Sequence, residues 1–530
     1  MDRAHRLTKW LRVAAVLLVL GFTAAAGTQA WRDSATFDEP VYLSAGTAAL
    51  LQHDVTLNPE HPPLFKAIAA LPVLFTHPAS PAVARTADEW TYSASFLRAQ
   101  VAAGTWHRVV FAGRLVPIGE ALLCAWLIFL LGRRFVGASA GLLAATLWLS
   151  APLVIGLGHL DGVDLPFAVT TLATALALVH WLGNRTRRHL IVVGLAVGTA
   201  VASQLTGLLL VAFVSVWVLR SERTWRRGIG SATLVIVLAW LTLWCSYLVL
   251  NPAQSLQAEW ALPTPFVTGI RFLSTNDSLS GVGYLLGHFW TGGRWWYWPI
   301  SLLIKTAIPT FIAIVAGAVL WRRVPKDRRA GALGVVLLPI VVLTLPLLAD
   351  PRDIGVRYLL PQFALLTVAA APVVLVCRAR LGRAFLATGV AGALGAGALS
   401  IPHSLSYSSA PFSPAYRNLS DSSVDWGQDL GLLQSWAVGK TSYVSYFGPR
   451  GTSAADVPGA SELVGVPPAQ VTGWVAVSAT NLNSNARASL GWLRKYCPIQ
   501  TLGGTILIYH FSAPPTNDPG PALPPGVCAQ

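Results

Sequence analysis

A polytopic α-helical membrane protein with a small α/β region at its C-terminal end is the fold class this sequence predicts, on three observations. Of its 530 residues, 54% are hydrophobic and only 12% are charged, against about 25% charged in a soluble domain. Apolar runs at 13–30, 230–250 and 330–348 reach the roughly 20 residues that cross a bilayer as a helix. Beyond residue 401 these runs stop, and short alternating stretches replace them.

Charge sets the topology. The net charge of +15 suggests nucleic acid until its distribution is considered. With the N-terminus on the cytoplasmic side, basic clusters fall at 3–12, 133–134, 185–188, 220–227, 322–329 and 378–383. They hold 21 of the 38 Lys and Arg residues and, with the adjoining Asp2 counted, only three acids, Asp2, Glu222 and Asp327. The remainder of the chain carries 17 basic and 20 acidic residues. This is the positive-inside bias of a membrane protein, and it excludes a nucleic-acid partner. Helices are expected near 10–30, 109–131, 136–156, 165–183, 189–203, 206–220, 229–250, 297–321, 330–349, 358–377 and 384–401. Those eleven crossings leave the C-terminus outside a plasma membrane. The fifth and sixth divide one apolar stretch at Ser203-Gln204-Leu205-Thr206-Gly207, because basic clusters flank both of its ends. The first helix has the basic start and small residues of a signal peptide; an uncleaved anchor is the expectation.

Three segments lie outside the spans. A first extracytoplasmic loop at 31–108 is far too long for a connector. It reads as two helices lying on the membrane surface. One starts at Pro40, a residue suited to the first helical position. The other starts at Pro62-Pro63, with Leu64, Ile68, Leu71 and Phe75 on one face and Lys66 pointing away. Residues 251–296 form a second outside segment, whose tryptophans read with Tyr297 and Trp298 as an interfacial belt. The transmembrane domain 1–401 is followed by an extracytoplasmic α/β domain at 402–511. Its strands are expected at 442–447, 474–478 and 505–511, and its helices at 428–436 and 485–496. A Pro-rich disordered tail occupies 512–530. Cys124, Cys245 and Cys377 sit in apolar helices as packing residues, whereas Cys497 and Cys528 lie where a disulfide persists.

The residues able to do chemistry gather on the outside. Asp38 and Glu39 precede the Pro40 helix, with Glu39 expected at its N-cap. Capping needs one acid, so two carboxylates here point to catalysis as well as to helix termination. His61 lies in the following stretch, 58–64. A second acidic cluster, His159-Leu160-Asp161-Gly162-Val163-Asp164, sits between apolar helices. Acids are costly there and usually functional, although a polar turn with Asp164 at a cap also fits. They are candidate acceptor contacts or ligands for a cation. Lys66, Lys305 and Arg357 with its neighbour Tyr358 are candidates for a phosphate, which guanidinium binds in a fork. Snorkelling to the interface is the plainer account of the two lysines. Arg114 and Glu120, six residues apart, share no helix stripe, and Glu120 reads as structural.

These motifs in their order resemble the GT-C glycosyltransferases that use polyprenyl-phosphate sugars, specifically the protein O-mannosyltransferase-like (family 39, ArnT-like) group. The resembling stretches are 36–40, 58–66, 159–166, 297–309, 355–361 and 421–430. The sequence departs from the pattern at Gln204, where a lysine is common. The resemblance implies that Asp38 is the catalytic base, that Glu39 supports it, and that a lipid phosphate binds near Lys66, Lys305, Arg357 and Tyr358. His61, His159, Asp161 and Asp164 would contact the acceptor. The donor would be a polyprenyl-phosphate sugar, mannose by the family name, and the acceptor a protein, glycan or lipid hydroxyl. No cofactor is required, since a monophosphate leaving group needs no metal, but Asp161 and Asp164 suit a divalent cation. A lipid-linked sugar flippase or transporter is the rival. It accounts for polar groups near helix ends, but not for the long first loop or the outside domain, and no internal repeat of the transporter kind is found.

Overall fold

The computed structural model describes residues 2–81, 88–252, 257–275, 281–484 and 487–515. Seven described helices are long and apolar enough to cross a membrane, or eight if a bent pair is one span. The long helices fall where expected: Trp106–Phe135, Asp164–Gly183 and Trp225–Leu250 among them. Three of the eleven expected crossings are shorter than a full span: Ala138–Leu149, Arg187–Val201 and Gly207–Ser221. The first of these stops because Pro152 begins a new helix, Pro152–Leu157, and a proline cannot donate to the preceding turn. The other two meet at the break expected around Ser203. The stretch expected at 297–321 is bent by 118° between Lys305 and Ile308, just ahead of Pro309. Small residues let neighbouring helices approach: a Cβ on Gly132 would stand 2.8 Å from the Gly141 Cα.

The first loop differs most from expectation. Glu39–Gln52 is buried from Glu39 to Ala49, so it is no surface helix. It packs between Pro63–Leu74 and a helix the sequence did not suggest, Glu89–Ala102. The Asp88 side chain caps that third helix by accepting from the Trp90 and Thr91 amides. In Pro63–Leu74 the faces divide as expected, with Leu71 and the following Phe75 exposed and Lys66 on the other side, but Lys66, Ala67 and Ala70 are buried against neighbouring helices rather than open to water. In a bilayer the large apolar side chains meet lipid, and small or polar ones fill the interior. The aromatic belt is also partly internal, since Tyr297 and Trp298 are buried and Trp295 is exposed.

Beyond the last span lies a five-stranded sheet. Ala460–Glu462 forms one edge, followed by Ser442–Ser445, Gly473–Ser478, Ile506–Phe511 and the opposite edge Gln500–Leu502. Ser442–Ser445 pairs in parallel with both neighbours, and the remaining pairs are antiparallel. The three longer strands match the alternating stretches, and the two edge strands were not apparent. Cys528, and with it the expected bridge to Cys497, falls outside the described residues, as does most of the Pro-rich tail.

Candidate active site

The site is built where the first helix ends. That helix, Asp2–Arg32, runs unbroken to a short segment leading into Glu39–Gln52. Asp38, rather than Glu39, occupies the N-cap, and its side chain caps nothing. The two adjacent carboxylates diverge into different environments.

Glu39 turns inward and is fully buried. Arg114 grips it as a fork, Nε to Oε1 at 2.8 Å and Nη2 to Oε2 at 2.7 Å. The Thr36 and Asp161 amides donate to the same carboxylate at 2.7 and 3.1 Å. Arg114 also donates to the carbonyls of Ala30, Asp33 and Ser34. Burial alone would raise the Glu39 carboxyl, but the Arg114 charge and these hydrogen bonds hold it below the usual carboxylate range. With donors on both its oxygens, Glu39 is placed to organise the segment rather than to meet substrate.

Asp38 turns the other way, and its Oδ2 accepts from Arg357 Nη1 at 2.7 Å and from the Tyr42 hydroxyl at 3.4 Å. Arg357 sits in a 3₁₀ turn, Val356–Leu359. Its guanidinium lies 4.2 Å above the Trp426 ring and 5.1 Å from the Tyr358 ring. Its Nε is 3.9 Å from Asp164 Oδ2 and has no hydrogen-bond partner. A cavity of about 20 Å³, room for about one water, separates Asp161, Asp164, Arg357 and Trp426. Asp161 keeps one buried oxygen unpartnered; burial and the nearby Glu39 and Glu120 charges push its carboxyl well up, so it favours the protonated form. His61 stacks edge-on to Tyr42 at 5.7 Å. Burial and the Lys66 and Arg357 charges push its ring well down, which keeps it neutral.

The remaining candidates are engaged elsewhere. His159 is buried, with Nδ1 2.9 Å from the Ile155 carbonyl and Nε2 3.0 Å from Asp33. Lys66 donates to the carbonyls of Leu57 and Asn58 and to the Asn58 side chain. Lys305 donates to the carbonyls of Leu405, Tyr407 and Ser423 at 2.6–2.7 Å. An ammonium has three donors, so neither lysine has one left for a phosphate in this arrangement. Among the described residues, no group of three or more His, Cys, Asp or Glu converges as a metal ligand set.

The stretch 421–430, whose purpose the sequence did not disclose, assembles the site. The Trp426 and Gln428 carbonyls accept from the Phe37 and Ser34 amides at 2.9 and 2.8 Å, fixing the backbone just before Asp38. Ser422 and Ser423 bond to Ile354 and Val356 beside Arg357. Asp429 accepts from the Thr505 hydroxyl at 2.6 Å and ties the sheet to this stretch. Burial, more than the Asp33 and Asp425 charges, raises Asp429 to about 8, against the Thr505 hydrogen bond. An unfolded chain loses that proton near pH 4, while the folded protein keeps it to about 8. The stability it contributes is therefore full at low pH and lost as pH rises across that interval. Thermal unfolding in detergent should show a lower Tm at pH 8 than at pH 6. Asp429→Asn, which retains the acceptor for Thr505, should flatten that difference; an unchanged pH slope in the variant would refute the assignment.

Sequence reasoning missed Arg114 as the partner of Glu39, and Tyr42 and Trp426 altogether. An arginine buried in an apolar span is a signal, because it must be paired. Trp426 offered none beyond its place in the motif.

Comparison with known proteins adds the following. Residues 105–247 match the sequence profile of the family described as Dolichyl-phosphate-mannose-protein mannosyltransferase. No curated protein matches the chain. Among solved structures, ArnT from Cupriavidus metallidurans bound to undecaprenyl phosphate is 16% identical, with a TM-score of 0.47, over 73% of this chain and 64% of that one. The chain therefore spans less than two thirds of that protein's length. The oligosaccharyltransferase AglB from Archaeoglobus fulgidus, with an inhibitory peptide and a dolichol-phosphate, is 11% identical over 94% of this chain and 74% of that one, TM-score 0.49. The S. cerevisiae protein O-mannosyltransferase Pmt1-Pmt2 complex bound to the sugar donor is 16% identical over 52% and 38%, TM-score 0.33. Over residues 105–247, then, the chain is similar to the dolichyl-phosphate-mannose-protein mannosyltransferase family, in agreement with the resemblance its motifs carry.

Proposed function

We propose that the protein is a membrane glycosyltransferase that moves a sugar from a polyprenyl-phosphate donor to a hydroxyl acceptor on the extracytoplasmic side, with Asp38 as general base. The observation that carries this reading is the Asp38–Arg357 pair: a carboxylate and a guanidinium at 2.7 Å, both largely shielded from solvent. A hydrolytic or transfer site needs a proton acceptor and an anion-binding group within reach of one reacting carbon.

The acceptor oxygen attacks the anomeric carbon and passes its proton to the Asp38 carboxylate. The bond from that carbon to the phosphate oxygen breaks, and its electron pair leaves with the polyprenyl phosphate. Arg357 stabilises that developing charge. Its present partner is Asp38, so donor binding exchanges one anion for another and frees the Asp38 oxygen. Asp164 is a further carboxylate beside Arg357, so one guanidinium does not balance the entering phosphate. Arg352 lies in electrostatic range of Arg357 but is itself matched by Asp350. Glu39 acts as a positioning residue, and Lys66 and Lys305 secure the backbone around the site. Mannose is the sugar proposed first, because the matching family is named for it.

Donor binding tests this reading. The purified protein should bind a polyprenyl-phosphate hexose, and Arg357→Gln should weaken that binding at least tenfold; equal binding by the variant would remove Arg357 from the phosphate site. Trp426→Ala should raise the donor KM by about tenfold, the order of a desolvated cation–π contact, while Trp426→Phe should stay near wild type. Initial rates against donor concentration separate these outcomes.

A further inference from the structure

We propose that an arginine-lined cavity on the membrane face opposite Asp38 holds the phosphate head of an anionic phospholipid. The helix Asp164–Gly183 connects the two faces. Its 20 residues span about 30 Å, the hydrocarbon thickness of a bilayer. Asp164 stands at the candidate active site, and Trp181 at the far end lines the cavity.

The cavity measures about 610 Å³ and is formed by the ends of three helices. Arg185, Arg187 and Arg227 surround it, with one acid, Glu222. Arg185 lies 4.5 Å from the centre of the Trp181 ring and donates to the Ser221 carbonyl, which fixes its direction. Glu222 accepts from the Ser231 hydroxyl at 3.0 Å. Among the described residues none of the three arginines is paired with a carboxylate. Three guanidinium groups against one carboxylate make an anion site, and the planar fork of arginine favours phosphate.

The volume and the walls select the source of that phosphate. A free phosphate would leave most of the space empty. Leu190, Leu234 and Val237 line the same cavity, and apolar wall beside a basic rim suits the glycerol and first acyl carbons of a lipid. Basic pockets between helices at the cytoplasmic surface are where anionic headgroups settle, and the clustering of arginine on this face marks it as that surface. The site is independent of the chemistry at Asp38.

The test is lipid retention by the full-length protein, delipidated in detergent and given dihexanoyl phosphatidylglycerol or dihexanoyl phosphatidylcholine, read by native mass spectrometry. Wild type should retain phosphatidylglycerol at least tenfold over phosphatidylcholine. The combined Arg185→Gln, Arg187→Gln, Arg227→Gln variant should lose that preference. Gly230→Phe is a second route, because a Cβ at this cavity residue meets nothing within 4 Å; its ring would fill the space and reduce retention at least fivefold. Arg223→Gln with Arg226→Gln, charges on the same face outside the cavity, should change nothing. Equal retention of the two lipids overturns the proposal, as does a preference that survives both cavity variants or disappears in the outside control. Displacement of the lipid by glycerol phosphate at equal concentration would make this a free-anion site and overturn it too.

Discussion

Asp38→Asn should reduce sugar transfer by about 10²–10⁴-fold, the range for removing a positioned general base, while donor KM stays the same or falls. Asparagine keeps the shape of aspartate and loses its ability to take a proton. It also ends the competition for Arg357, which now pairs with Asp38 at 2.7 Å, so the phosphate gains a freer partner. A loss in kcat without a rise in KM separates a base from a binding residue. The variant should stay folded with a lowered Tm, because Arg357 loses a largely shielded partner but keeps the Asp164 carboxylate at 3.9 Å. Transfer retained within a few-fold of wild type would remove Asp38 from the mechanism.

The neighbouring acid should behave differently. Glu39→Gln should destabilise the protein by about 3–5 kcal/mol, the cost of leaving one partner of a buried ion pair uncompensated. Both side chains of the Glu39–Arg114 pair are fully buried, and the fork between them joins three parts of the chain. Arg114→Met should cost a similar amount by stranding the carboxylate. Because removing both charges leaves neither stranded, Glu39→Gln with Arg114→Met should be more stable than the sum of the single effects predicts. Unfolding of the purified variants in detergent reads this directly. A Glu39→Gln protein with unaltered Tm and lost activity would instead make Glu39 a participant in the reaction.

These two residues show how far the sequence could be read. Asp38-Glu39-Pro40 was visible as a pair ahead of a helix, yet nothing local distinguishes the acid that meets Arg357 from the one that meets Arg114. Their partners lie 319 and 75 residues away in the chain, and no local pattern encodes such pairings. The spans were legible because length and apolarity are local properties. Their bends and short members were less so, since Pro152 and Pro309 break helices inside runs that remain apolar throughout. The first loop was misread at Glu39–Gln52, where Pro40 marks a helix start but no local signal shows that the helix is buried between two others. Lys66 and Lys305 looked like phosphate binders because they are basic groups near the site. Their Nζ atoms are instead spent on backbone carbonyls, which composition cannot reveal. The stretch 421–430 was recognised as a motif, but its effect on Phe37 and Arg357 exists only in the folded chain.

Purified wild-type and Asp38→Asn proteins, in liposomes with a polyprenyl-phosphate hexose labelled in the sugar and a mixture of peptide, glycan and lipid acceptors, are followed for label on acceptor and for free polyprenyl phosphate. The two products should appear together and in equal amounts with wild type, and neither should form with the variant. Label that crosses the bilayer on intact lipid, with no polyprenyl phosphate released, would contradict chemical transfer at Asp38.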